Sequence, residues 1–243
     1  MLKKWNCVIK IFTNRLLLQH RTDKLTKVWT KNLQVKPPKT SIRADNEAAI
    51  LAAAESVFAE VGFKGATTSE IARRASLPKA NLHYYFATKE DLYRIVLQRV
   101  LTVWLSAASS MDDNELPEVA LARYIGMKMD LSRTMPLGSQ IWASEIMRGA
   151  PMIQDFLEKT LKEWVSDHEI VVQRWINEGK IHPVSPKALF FMIWATTQHY
   201  ADFATQISVL NGGTPLSDEE FEVARLQVIE MIVRSVVRQP AAV

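Results

Sequence analysis

The stretch Thr67 to Leu92, TTSEIARRASLPKANLHYYFATKEDL, constrains the fold of this chain more than any other segment. Thr67 followed three residues later by Glu70 has the form of a capping box, which starts a helix. Ile71, Ala72 and Ala75 give that helix an apolar stripe. Leu77-Pro78 ends it, because the residue before a proline is pushed out of the helical region. Pro78 suits the first position of a new helix. This second helix is about two turns long. Leu82 and Phe86, at i and i+4, bury one face and leave Lys79, Ala80, Asn81, His83 and Tyr84 near or on the other. Thr88 and Asp91 cap a third helix whose Leu92, Val96, Val100 and Val103 share a face. Upstream, Ile50, Leu51, Ala54, Val57, Phe58 and Val61 form one stripe over 46–61, and Gly62 is placed to end it. Two short helices across a tight turn make a helix-turn-helix, whose second helix is sized for a DNA major groove.

The rest of the chain also reads as helical. The Leu92 helix extends to Ser110, and Asp112-Asp113-Asn114 is a turn. Further helices cover 116–133, 137–147 and 152–178, the last stopped by Gly179. Ser185-Pro186 is a cap followed by a favourable first residue for a helix over 186–210, closed by Asn211-Gly212-Gly213. Ser217 and Glu220 form a second capping box for a last helix reaching Val237. The pattern gives nine helices, no internal repeat and an all-α fold.

Composition agrees. With 243 residues, 48% of them hydrophobic, the chain can bury one or two sizeable cores. A single cysteine, Cys7, excludes an internal disulfide framework and fits a reducing cytoplasm. The longest apolar run, 188–195, is far too short to span a bilayer, so no membrane role is expected.

Charge is unevenly spread. Residues 1–44 carry eleven Lys/Arg against one acid, a formal +10, whereas the remainder carries 19 bases against 25 acids, a formal −6. The basic pI therefore belongs to the leader and says nothing of the body. The leader lacks the apolar region of a signal peptide. Three readings stay open: a basic arm adding phosphate contacts, a true start at Leu33 or Val35, and a targeting segment. Pro37-Pro38 marks the expected boundary of order.

At the helix-turn-helix the chain resembles the TetR family of bacterial transcriptional regulators. The resemblance covers Asn46 to Leu92 and rests on Thr68, Ile71-Ala72, Ser76-Leu77-Pro78, Leu82-His83-Tyr84-Tyr85-Phe86, Lys89 and Leu92. It departs at Ser76, where the family has Gly, at Pro78, where a Ser or Thr is common, and at His83, where Tyr is usual. Ser76 must then take a left-handed backbone, or the turn differs. The resemblance implies a three-helix DNA-binding head over 45–92 and a six-helix ligand-binding and dimerisation domain over 93–243. It implies that Lys79, Ala80, Asn81, His83, Tyr84, Tyr85 and Lys89 face double-stranded DNA, with Thr68 on a phosphate. It further implies a cytoplasmic homodimer on a palindromic operator.

The helix over 186–210, PKALFFMIWATTQHYADFATQISVL, is apolar nearly all round and must be buried on several sides. Phe190, Ile193, Phe203 and, in the last helix, Val228 are candidates for a dimer contact. Gln198, His199 and Asp202 lie inside this apolar helix and need partners. Trp194, Gln198 and Asp202 are spaced i, i+4, i+8 and share a face. An aromatic plane, an amide and a carboxylate in line can stack on and hydrogen-bond a small planar polar molecule. Core packing of Trp194, an internal network and a dimer contact are the alternatives, and His199 reads as structural. Glu145, Trp142 and Ser132 are candidates to line the same cavity, beside helix capping or surface placement. The segments 191–206, 145–151 and 81–93 also resemble a pyrimidine-utilisation subgroup of the family. That resemblance implies uracil or thymine as effector.

An enzyme using Glu145, His199 and Asp202 as an acid/base set is the competing class. No HExxH, CxxC, nucleophile elbow, phosphate loop or dinucleotide fingerprint accompanies them. No catalytic role, cofactor or metal is therefore expected.

Overall fold

The computed structural model describes residues 42–108 and 115–238. The chain divides into two units, Met1–Asp45 and Asn46–Val243. The basic leader lies outside the described residues except for the first turn of a helix, and the second unit holds both candidate sites.

Ten helices of seven residues or more stand among the described residues. They are α1 (Ile42–Gly65), α2 (Thr68–Arg74), α3 (Lys79–Tyr85), α4 (Lys89–Ala108), α5 (Pro117–Thr134), α6 (Pro136–Met147), α7 (Lys162–Asn177), α8 (Pro186–Asp202), α9 (Ala204–Leu210) and α10 (Asp218–Val236). The one β-type pairing among them is an antiparallel bridge between Ile181 and Val237.

Most local expectations hold. Gly62 takes φ 68°, ψ 174° and breaks α1 one turn before its end. Ser76 takes φ 57°, the left-handed conformation its place in the turn demands. Ser217 and Glu220 close a complete capping box on α10. Ser185 caps α8, with Pro186 as its first residue.

Four readings change. Thr67 caps α2 by accepting from the Glu70 amide, but the Glu70 carboxylate does not return. It is held instead by Arg73 and Arg74, at 2.7 and 2.8 Å. Pro78 is the cap of α3 rather than its first turn, with ψ 142°. The single helix expected over 152–178 starts at Gln154 and runs on in helical φ/ψ to Asn177, but with a π-helical turn (Leu157–Leu161) before α7. The helix expected over 186–210 breaks at Phe203 (φ −116°, ψ 28°) into α8 and α9. At that break the Gln140 amide donates to the Ala201 carbonyl at 3.0 Å, a tertiary partner that helical periodicity does not reveal.

Two cores form. The first joins α1–α4 to Leu131, Ile141, Trp142 and Ile153, so the helix-turn-helix shares its interior with the body. The second is built from α5, α7, α8 and α10 around Trp175 and Phe190, both 0% exposed. Helix α5 is buried on most sides. Phe190, Ile193 and Val228 lie in this second core and cannot meet another chain; of the four expected dimer contacts, Phe203 alone is exposed.

Candidate DNA-binding and effector sites

On the DNA side, α3 buries Leu82 and, at its C-cap, Phe86, and turns Lys79, Ala80, His83 and Tyr84 outward, Tyr84 being 71% exposed. Asn81 and Thr68 are half-buried beside them. Tyr85 is also half-buried; its hydroxyl accepts from Asn46 of α1 at 3.4 Å, and its ring meets Tyr84 edge-on at 5.3 Å. The helix pair is braced by charge. Arg74 joins Glu70 to Glu60 and Ser56 of α1, at 2.6 Å and 3.0 Å for the latter two. Hydrogen bonds from Arg73 and Arg74 hold the Glu70 carboxyl down to about 2.

Lys89 departs from expectation. Its ammonium donates to the carbonyls of Phe63 and Ala66 at 2.9 and 3.0 Å and lies 4.4 Å from the Phe63 ring. These are carbonyls at the end of α1, where a cation is favoured. The residue thus fastens α4 to α1, and its charge is directed inward rather than to a phosphate. We expect Lys89→Ala to cost about 2 kcal/mol of stability, the scale of charged hydrogen bonds, and to leave the salt slope of DNA binding unchanged. A slope lowered by about one unit, read from a salt titration of binding, would restore the phosphate role.

On the effector side, the predicted face of α8 separates into parts. Trp194 donates its indole N–H to the Tyr124 hydroxyl at 2.7 Å and packs among Trp164 and Phe190. Its polar edge is therefore engaged inside the core, in line with the packing alternative. Gln198, one turn on, is half-buried, and its side-chain amide makes no hydrogen bond among the described residues. Asp202 accepts from the Ser139 hydroxyl of α6 at 2.6 Å. Burial raises its pKa, against the pull of Ser139 and the charge of Lys128.

Lys128, which its sequence position alone does not single out, is the most unusual group here. It is 4% exposed, makes no hydrogen bond or ion pair among the described residues, and its ammonium sits 4.0 Å from the Trp104 ring centroid. Burial lowers its pKa to about 7, while Asp202 pulls the other way. Trp104 meets Trp142 edge-on at 5.6 Å, so α4, α5, α6 and α8 converge on this point. A signal did exist: Lys128 interrupts the stripe Leu121, Tyr124, Ile125, Leu131, Ser132 at a position a core residue should hold.

Glu145 is not part of that group. It is 2% exposed, and its two carboxylate oxygens accept from the Tyr93 hydroxyl at 3.2 Å and the Met152 amide at 2.7 Å. Ser132 is buried with its hydroxyl on the Met129 carbonyl. His199 is exposed and stacks on Phe203 at 4.8 Å. Glu145 and the Asp202 partner Ser139 are six residues apart on α6, roughly 9 Å along the axis. The acid/base set Glu145, His199 and Asp202 is therefore not assembled.

A helix-turn-helix braced on a long first helix and continuous with a helical body defines a class. Residues 50–96 match the model of bacterial regulatory proteins of the tetR family, and residues 97–239 match the YcdC-like protein C-terminal region. The chain belongs to the TetR family of transcriptional regulators. Within it, the chain is 38% identical over 185 residues to the HTH-type transcriptional regulator RutR of Escherichia coli (strain K12), covering 76% of this chain and 87% of that one. Its fold matches a tetR-family regulatory protein from Rhodococcus RHA1 with TM-score 0.67 at 18% identity, covering 83% and 100% of the two chains. It also matches the ketosteroid transcriptional regulator KstR2 of Mycobacterium tuberculosis with TM-score 0.62 at 20% identity, covering 82% and 97%.

Proposed function

We propose that this regulator is a homodimeric repressor that leaves a palindromic operator when a small planar effector of the uracil or thymine type binds between α4, α5, α6 and α8. Residues 45–92 read DNA, residues 93–243 hold the effector and the dimer contact, and the protein works in the cytoplasm. One observation carries the effector reading. A buried ammonium without a hydrogen-bond partner among the described residues, Lys128, lies over the Trp104 ring, which meets Trp142 edge-on, and shares a charge interaction with the Asp202 carboxylate. Lys128 supplies a donor, Asp202 an acceptor, and Gln198 an uncommitted amide that is both. That is the complement of a ring bearing carbonyl and N–H groups side by side. The similarity to RutR supports the same class. No helix among the described residues is long and apolar enough to cross a membrane.

The dimer contact is assigned to α8–α10. Phe203, Leu210, Val223 and Met231 are 53%, 81%, 55% and 62% exposed there. A groove of about 390 Å³ lined by His199, Tyr200, Ile207, Leu210, Leu216 and Ala224 runs through the same region.

Calorimetry with uracil and thymine, on wild type and Gln198→Ala, tests the effector together with a release assay on duplex DNA from upstream of the gene. We expect heat and DNA release in wild type and loss of both in the variant, whose DNA binding persists. No heat from either base removes the pyrimidine assignment and leaves a TetR-type repressor with another effector. Equal heat from the variant moves the site elsewhere.

A further inference from the structure

Helix α6 carries two polar attachments, one at each end. At its start Ser139 and Gln140 donate to Asp202 and to the Ala201 carbonyl of α8, at 2.6 and 3.0 Å. Gly138 lets this end lie directly on α4, where a Cβ would come within 2.8 Å of a Val100 methyl. At its far end Glu145 takes the Tyr93 hydroxyl and the Met152 amide. The Tyr93 ring is 1% exposed and wedged between Phe58, edge-on at 4.8 Å, and Phe63 at 4.9 Å. Both phenylalanines belong to α1, the helix whose Ser56 and Glu60 hold Arg74 of α2. A second tie reinforces the first, because Arg94, next to Tyr93, binds the Met152 carbonyl and the Asp155 carboxylate.

We propose that Tyr93 and Glu145 are the positioning pair through which effector occupancy reaches the DNA-binding helices, with α6 as the rigid arm between the effector site and the head. The proposal rests on the effector-responsive reading above. A buried carboxylate whose two oxygens are both engaged cannot be displaced alone, since a shift would strand it or the Met152 amide without a partner. Motion of α6 is therefore passed to Tyr93 rather than absorbed. The Tyr93 phenol, protonated at neutral pH, donates to Glu145, and burial and the Glu145 charge hold it up to about 12. The ring then presses on Phe58 and Phe63, and α1 carries the displacement to Arg74 and α2.

Tyr93→Phe keeps the aromatic wedge and the Arg94 tie and removes the hydrogen bond to Glu145. In the release assay with uracil as the probe, wild type should lose DNA affinity by about 5–150-fold and the variant by about threefold or less, with uracil and DNA each bound as before. A second measurement needs neither ligand nor DNA. Ser139→Ala perturbs the effector end of α6, and hydrogen exchange reads the amides of residues 58–63. We expect exchange there to rise by about threefold or more in the wild-type background and by less than about 1.5-fold alongside Tyr93→Phe. An equal rise in both backgrounds, or none in wild type, overturns the proposal. So does full release by uracil in Tyr93→Phe. A wild type that takes up no uracil removes the effector assignment, and the exchange comparison still decides the coupling.

Discussion

Lys128→Met should raise the thermal midpoint by about 5–10 °C at pH 6 and abolish uracil binding in calorimetry. The stability gain arises from burial. The Lys128 amine falls from 10.5 to about 7 in the folded chain, which corresponds to a penalty of at most about 5 kcal/mol for holding the charge inside. Below pH 7 the folded and unfolded chains both carry the proton, and the folded state bears the full penalty. Between pH 7 and 10.5 the unfolded chain keeps the proton and the folded chain releases it, so unfolding takes up a proton and wild-type stability rises with pH. Met fills a similar volume without charge and should show no such rise. The two scans should therefore converge from pH 6 to pH 9. A variant less stable than wild type at pH 6 would mean that the ammonium is well compensated in the free protein, and the donor offered to the effector would disappear with it.

Leu226→Asp combined with Met231→Asp should convert the protein to a monomer and weaken operator binding by at least about 100-fold, because one recognition helix reads only a half-site. Both residues lie on α10 with substantial exposure, 37% and 62%, so neither substitution opens the core. Sedimentation gives the association state, circular dichroism the fold, and a gel shift the affinity. A folded double variant that still sediments as a dimer would move the interface off this face. Phe190→Ala and Val228→Ala, by contrast, should act through stability, since both side chains lie within the chain's own second core.

The outward face of α3 was legible in advance because it is local. Helix α3 has seven residues, and the spacing of Leu82 and Phe86 alone decides which side chains turn outward. The left-handed backbone at Ser76 is one of the two outcomes that the resemblance left open, since the family carries Gly at that place. The contacts of Lys89 were not legible because its partners, Phe63 and Ala66, are more than twenty residues upstream. Periodicity places a side chain on a face and does not say which carbonyl waits there.

The candidate effector site shows the same division more sharply. One strip of α8 carries Trp194, Gln198 and Asp202, and spacing established that. Tyr124 then takes the Trp194 indole, and Ser139 takes Asp202. Glu145 matched the expected chemistry but was drawn to Tyr93 and Met152 at the other end of α6.

By itself the sequence determined the all-helical fold, the family and the outward face of the recognition helix. Each depends on contacts within a few turns, where capping, proline and apolar spacing act. Only the tertiary structure decided that α8 breaks after Asp202, that Lys89 and Glu145 are fasteners, and that Lys128 is buried beneath Trp104. Those outcomes depend on which distant groups satisfy one another once water is excluded. A buried polar group takes the partner the packing brings to it, and that partner is set by four helices meeting rather than by any one of them.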